Sequence, residues 1–239
     1  MTQQNLLALV KRNYEEIAED FNLTRKKFLW PELLKLTEFV KNDDKVLDAG
    51  CGNGRLAEAF GDKKISYLGV DGSKNLIESA KKKFLDSRLR GNDEFVVGDI
   101  LELDKLPEKN FDYIYSIAVL HHLPGEDLRI EALKQMKNKI KPGGKIIITV
   151  WNLWNQKKFR KIIFKYGLLK IIGKNKMNIG DILFDWKNNR GEEISRRYYH
   201  AFTSGELRKI TKEAGLKIEK LYKDKYNYYL ILHNSRILV

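Results

Sequence analysis

Leu6, Leu7, Val10, Tyr14, Ile17, Ala18 and Phe21 recur at three- and four-residue steps, which predicts an amphipathic helix over residues 4–21. Asn22-Leu23-Thr24-Arg25 interrupts it. A second helix is predicted from Trp30-Pro31 to about Val40, with the proline in the first turn. From Lys45 onward short apolar runs alternate with helical patterns. Strands are predicted at Val46-Leu47, 65–70, 95–97, 111–116 and 145–150, and helices at 53–61, 74–84 and 125–140. The last of these helices is stopped by KPGG. Residues 84–94, FLDSRLRGNDE, read as an exposed loop, and LELDKLPEKN as a connector. Residues 152–200 break the alternation, although FRKIIFKYGLLKII within them fits an amphipathic helix. The pattern resumes with a helix over 204–214 ending at Gly215. Two alternating runs, LKIEKLY and NYYLILH, then predict a terminal antiparallel hairpin.

This succession predicts an α/β fold with a doubly wound, mostly parallel sheet of seven strands and a C-terminal antiparallel hairpin. At 239 residues the chain is read as one domain over 1–239. Residues 1–42 form an N-terminal helical lid, and 152–200 are inserted between the fifth strand and the last helix. The hydrophobic content of 43% excludes a disordered chain. No apolar run reaches membrane-spanning length, and the polar N-terminus lacks signal-peptide shape, so no stable membrane insertion is expected. Cys51 is the single cysteine, which rules out an intrachain disulfide and makes a cytoplasmic location the expectation.

The stretch around which the chain is organised is KVLDAGCGNGRL, residues 45–56. A strand runs into Asp48 and three alternating glycines, Gly50, Gly52 and Gly54, and a helix is expected from Asn53. Glycines permit unusual backbone angles and close approach to a ligand, and a helix start offers unpaired N–H groups. No Gly-Lys-Ser/Thr closes a phosphate loop, and the spacing is not G-x-G-x-x-G. Asp71 ends the second strand, 21 residues after Gly50, where a parallel neighbour delivers a carboxylate to ribose hydroxyls. After the third strand, Asp99 is placed to accept from an adenine amino group while Ile100 packs on the base. Each of these acids also suits a helix N-cap or a solvated turn.

The D-x-G-x-G-x-G pattern with Asp71 and Asp99 behind it resembles motif I of the class I S-adenosylmethionine-dependent methyltransferases. Thr24-Arg25, Trp30-Pro31, SIAVLHHL at the fourth strand, Val150-Trp151, GDILFDW and RRYYHAFTSGEL resemble the tRNA wobble-uridine methyltransferases, which esterify 5-carboxymethyluridine at the anticodon. Two features depart from that family: Asp185 stands where it tends to have proline, and the basic SRLRGNDE loop looks inserted.

The resemblance implies S-adenosylmethionine as cofactor. It would be held by Asp48, Gly50, Gly52, Gly54, Asp71, Asp99, Ile100, Ser116 and Ala118, with Arg25 reaching its methionyl carboxylate or standing as a solvated surface arginine. It implies tRNA as substrate, residues 152–200 as a substrate cap, and a small zinc-containing activator protein at the sheet edge. A carboxylate acceptor is already ionised at neutral pH, so alignment matters more than a general base. His121, Arg197, Tyr198 and His200 are the expected catalytic residues, with His122 lining the substrate pocket. Trp151 and Trp186 would stack on an extruded base, or pack in the core. Arg197 is read as a phosphate contact or a carboxylate clamp. Adjacent histidines rarely face the same way, and no metal is expected at His121-His122.

Charge sharpens the partner. Residues 152–239 carry 20 lysines and arginines against eight acids, while the first 151 residues nearly balance. Lys157, Lys158, Arg160 and Lys161 open a cluster with no acid in it, as expected for a polyanion or an anionic membrane surface. Two other functions stay open. One is methylation of a small molecule, such as a quinone or carboxylic acid, at a membrane surface. The other is a non-catalytic subunit that binds RNA or cofactor.

Overall fold

The computed structural model describes residues 1–16, 29–86, 93–187 and 193–234. Helix α1 (Gln3–Glu16) is followed by α2 (Pro31–Thr37), which has Pro31 in its first turn, where no N–H is needed. Five strands follow in βα succession: β1 (Lys45–Ala49), β2 (Ser66–Asp71), β3 (Asp93–Val97), β4 (Phe111–Ile117) and β5 (Ile140–Trp151). Helix α3 (Lys74–Asp86) links β2 to β3, and α4 (Glu126–Lys139) links β4 to β5. After α5 (Lys157–Ile171) come β6 (Asp181–Lys187) and β7 (Glu193–His200). Helix α6 (Ser204–Glu213) and the hairpin β8 (Leu216–Lys223) and β9 (Asn227–Asn234) complete the described chain.

The main sheet has seven strands in the order β3-β2-β1-β4-β5-β9-β8. Strands β1 to β5 are parallel, and β9 runs antiparallel to both β5 and β8. Alternate residues of the central strands enter opposite cores, as the two-residue period requires. Leu47, Ile146 and Ile148 join α4 and α6 on one face, while Val46, Tyr115 and Ile147 join α2 and α3 on the other. With both faces covered, the inner strands are mostly apolar, with Asp48, Ser116 and Thr149 the buried polar residues near their carboxyl ends. Strand order reverses at β1, which pairs with β2 on one side and β4 on the other. A crevice for a ligand opens at the carboxyl ends of such strands.

Three expectations need correcting. The helix expected at 53–61 is a 3₁₀ helix, Arg55–Phe60, because Gly54 before it holds a left-handed conformation (φ 72°). The helix stops before KPGG, at Lys139, as expected, but β5 begins at Ile140 and not at 145, with an irregularity: Phe111 pairs with Ile140, and regular pairing resumes at Tyr113 and Lys145. The inserted segment, in which no strands were expected, holds a separate antiparallel sheet, β6-β7, against which α5 packs through Phe159 and Ile163. Residues 17–28 and 87–92 of the expected first helix and inserted loop lie outside the described residues. Among the described residues no helix is long and apolar enough to cross a membrane.

A cavity at the carboxyl ends of the central strands

A cavity of about 600 Å³ lies at this crevice, lined from the glycine turn, β2, the ends of β4 and β5, α1 and β7. The turn is shaped by contacts that exclude side chains. A Cβ on Gly50 (φ 88°) would lie 2.3 Å from Val119 Cγ2, and one on Gly54 would lie 2.7 Å from Phe95 Cε1. Four of the turn's N–H groups are engaged within the chain. Gly50 and Cys51 both donate to Val70 O, at 2.8 and 3.0 Å, and Gly54 donates to Cys51 O at 3.0 Å. Gly52 donates to Asp71 Oδ2 at 2.8 Å.

Asp71 Oδ1 accepts from Ser73 N–H at 2.9 Å, so two backbone donors orient the carboxylate at the end of β2. Burial raises its pKa, against those two hydrogen bonds. Asp48 is buried one strand away. Tyr67 donates its hydroxyl to Oδ2 at 2.6 Å, while Oδ1 has no hydrogen-bond partner among the described residues. Burial pushes its pKa up to about 7, with the Asp71 charge adding to the rise and the Tyr67 bond opposing it. Asp99 Oδ1 accepts from Leu101 N–H at 2.9 Å and caps the 3₁₀ helix Ile100–Lys105. Its Oδ2 lies 2.7 Å from Lys11 Nζ. Asp99 and Ile100 both line the cavity.

An aromatic wall faces these acids. The Tyr14 hydroxyl lies 2.6 Å from His122 Nε2, and His122 Nδ1 lies 3.4 Å from Tyr198 O. A carbonyl only accepts, so Nδ1 carries the proton and Nε2 accepts from Tyr14. Tyr199 stacks on Trp151, with ring centroids 5.0 Å apart. Arg197 is buried; its Nη1 donates to the Tyr199 hydroxyl at 3.3 Å, and its guanidinium lies 5.7 Å from the Tyr14 ring centroid. Helix α1 is tied to β7 by Asn13 Nδ2, which donates to Arg196 O at 2.6 Å.

Of the residues singled out in the sequence, Asp48, Gly50, Gly52, Asp71, Asp99, Ile100, Ala118, His122, Trp151 and Arg197 line the cavity. Gly54 and Ser116 do not. Gly54 packs against Phe84 and Phe95, and Ser116 is buried within β4. Tyr198 and His200 also fall outside it. Side chains alternate along β7, so Arg197 and Tyr199 face the cavity while Tyr198 and His200 point to its far side. His121 lies behind the wall. Its Nδ1 accepts from Trp151 N–H at 3.3 Å, and burial, with His122 and His200 nearby, pushes its pKa well down, so the ring is neutral. Lys157, Lys158, Arg160 and Lys161 are exposed on α5, outside the lining, and Lys158 lies 4.6 Å from the Phe184 ring centroid. Arg25 and the side chain of Trp186 lie outside the described residues. Sequence reasoning missed Lys11, Gln156, Phe159 and Phe184 as lining residues, and read Tyr14 only as an apolar helix position.

Comparison with known proteins agrees with this architecture. The pattern of the methyltransferase-domain family matches residues 14–221. A methyltransferase of Encephalitozoon cuniculi is 31% identical over 209 residues, covering 87% of each chain. The tRNA (carboxymethyluridine(34)-5-O)-methyltransferase of Schizosaccharomyces pombe is 28% identical over 239 residues, covering 95% of this chain and 96% of its own. A crystal structure of a SAM-dependent methyltransferase from Methanosarcina mazei superposes with a TM-score of 0.68 at 21% identity, covering 87% of this chain and 99% of that one, and shares the fold. With the family pattern spanning the glycine turn, the central strands and β7 alike, the chain belongs to the methyltransferase-domain family.

Proposed function

We propose that this protein transfers a methyl group from S-adenosylmethionine to the carboxylate of 5-carboxymethyluridine at the wobble position of tRNA. One observation carries the reading: a buried guanidinium, Arg197, lines the same cavity as the glycine turn and Asp71. A cation with a fixed planar fork suits a carboxylate acceptor.

The cavity fits the cofactor. Asp48 Oδ1 is a buried acceptor without a partner among the described residues, suited to an ammonium group, and the turn at Gly50 leaves no room for a side chain. Asp71 is oriented for ribose hydroxyls, and Asp99 with Ile100 for the adenine. When bound, S-adenosylmethionine supplies an electrophilic methyl on a sulfonium. The chain's own part is alignment and exclusion of water. Arg197 and the Tyr199 hydroxyl hold the acceptor carboxylate, and His122, locked by Tyr14, borders it. His121 is neutral and hidden, which fits a reaction that needs no general base. Residues 152–200 act as the cap, α1 as the lid, and the α5 cations track tRNA phosphates. The zinc-containing activator is assigned to the outer edge of β3, where Val97 is exposed, and the setting is cytoplasmic.

The test is transfer of labelled methyl from S-adenosylmethionine to tRNA lacking this ester, followed by nucleoside analysis. Label in any nucleoside other than 5-methoxycarbonylmethyluridine overturns the assignment. A second reading, methylation of a small molecule at an anionic membrane surface, is favoured by Phe164, Leu168 and Ile171, exposed along α5. Liposome-dependent methylation of a lipophilic acid, with tRNA inert, would select it.

A further inference from the structure

The far side of β7 holds a cluster that sequence reasoning did not find. Arg129 of α4 is buried, and every one of its nitrogens is engaged. Nε donates to Leu123 O at 2.9 Å and Nη1 to Glu206 Oε1 at 3.1 Å. Nη2 donates to Asp181 Oδ1 at 3.3 Å and to the Tyr198 hydroxyl at 3.1 Å. Tyr198 donates to Asp181 Oδ1 at 2.6 Å. His200 places Nδ1 2.7 Å from Asp181 Oδ1 and Nε2 2.7 Å from Glu206 Oε1.

Burial works to raise both acids, yet the hydrogen bonds with His200 and the charge of Arg129 hold Asp181 and Glu206 below their ordinary values. Arg129 therefore faces two carboxylates, which only accept hydrogen bonds. The groups facing the His200 ring are Asp181 from β6, Glu206 from α6, Arg129 from α4, Tyr198 on its own strand, and the neutral His121 from the turn after β4.

We propose that Arg129, together with Tyr198 and His200, is a positioning device that fixes β7 in the orientation turning Arg197 and Tyr199 into the cavity. The cluster joins two helices of the main fold to both strands of the inserted sheet, and alternation along β7 transmits its hold to the opposite side. Removing one member of such a buried set leaves an uncompensated charge. The link to methyl transfer rests on the function proposed above; the link to β7 does not.

The test has two parts. First, hydrogen exchange in Arg129→Met should rise across β7 while β1 and β2 are unchanged. Unchanged exchange in β7 overturns the positioning role, whether or not tRNA is a substrate. Second, Arg129→Met should lower kcat about a hundredfold with cofactor Kd within about twofold. Adding Glu206→Gln should restore about tenfold of the loss by removing the excess negative charge. A double variant as impaired as the single one refutes charge balance as the cause. If Arg129→Met fails to fold, Arg129→Lys, which keeps the charge and loses the fork, should fold and show a smaller rise in β7 exchange; wild-type exchange there refutes the proposal.

Discussion

Tyr14 and His122 are 108 residues apart in sequence and 2.6 Å apart in space, joining α1 to the turn after β4. The Tyr198 carbonyl holds the proton on His122 Nδ1, and the Tyr14 hydroxyl donates to Nε2. Tyr14→Phe keeps the ring near Arg197 and deletes the hydroxyl. A hydrogen bond of this kind contributes about 1 kcal/mol, so kcat/KM for tRNA methylation should fall roughly fivefold. Steady-state kinetics checks this; a wild-type value would show that the Tyr14–His122 hydrogen bond has no bearing on turnover.

Asp71→Ala removes the carboxylate oriented by Gly52 and Ser73. Losing two charge-assisted hydrogen bonds to ribose should weaken cofactor binding by roughly 2–4 kcal/mol. Calorimetric titration measures it, with circular dichroism as the control for folding. Unchanged affinity would take Asp71 out of the site.

Asp48 gives the fold a pH dependence. Its folded pKa, about 7, lies above the ordinary carboxyl value. The folded state therefore binds its proton more tightly than the unfolded chain does. The resulting stabilisation is complete below about pH 4 and is lost as pH rises through about 7. Asp48→Asn should melt higher than the wild type at about pH 8 without cofactor, and the two should converge in acid. The same variant should bind S-adenosylmethionine more weakly. A melting difference independent of pH would show that Asp48 does not titrate in this range.

These predictions draw unevenly on sequence and structure. Asp71 was legible because parallel strands repeat at fixed spacing, which puts an acid at the end of the second strand beside the glycine turn. The facing of β7 was not. RRYYH lies in a segment without periodicity, and alternation assigns Arg197 and Tyr199 to one side only once the strand is known. Arg129 sits in an ordinary amphipathic helix pattern, where an arginine reads as solvated; its partners come from three other elements. The 3₁₀ turn at Arg55 depends on the backbone angle of Gly54, which composition does not encode.

The exposed cations of α5 bear on substrate binding. If they track phosphates, each lost contact should reduce the log–log salt slope of tRNA affinity by about 0.7–0.9. Changing Lys157, Lys158 and Lys161 together to Glu should abolish tRNA binding and spare cofactor binding, because none of the three lines the cavity. Filter binding across a salt series checks the slope. Loss of liposome association with tRNA binding intact would favour the membrane reading.

Arg197 separates a carboxylate clamp from a phosphate contact. It is buried, its Nη1 engages Tyr199, and its guanidinium lies near the Tyr14 ring. Lysine keeps the charge but replaces the fork with a point donor. If Arg197 grips the acceptor in two places, Arg197→Lys should lower kcat at least tenfold while cofactor affinity and the tRNA salt slope change little, because an alignment made in the transition state has been lost. If Arg197 only meets a phosphate, lysine should serve nearly as well, and Arg197→Ala should raise KM with kcat preserved. The burial of Arg197 beside Tyr199 favours the first outcome, since a tRNA backbone would be met more readily on the exposed face of α5. Wild-type turnover by Arg197→Lys on carboxymethyluridine tRNA would end the clamp reading and leave Tyr199 and His122 to position the acceptor.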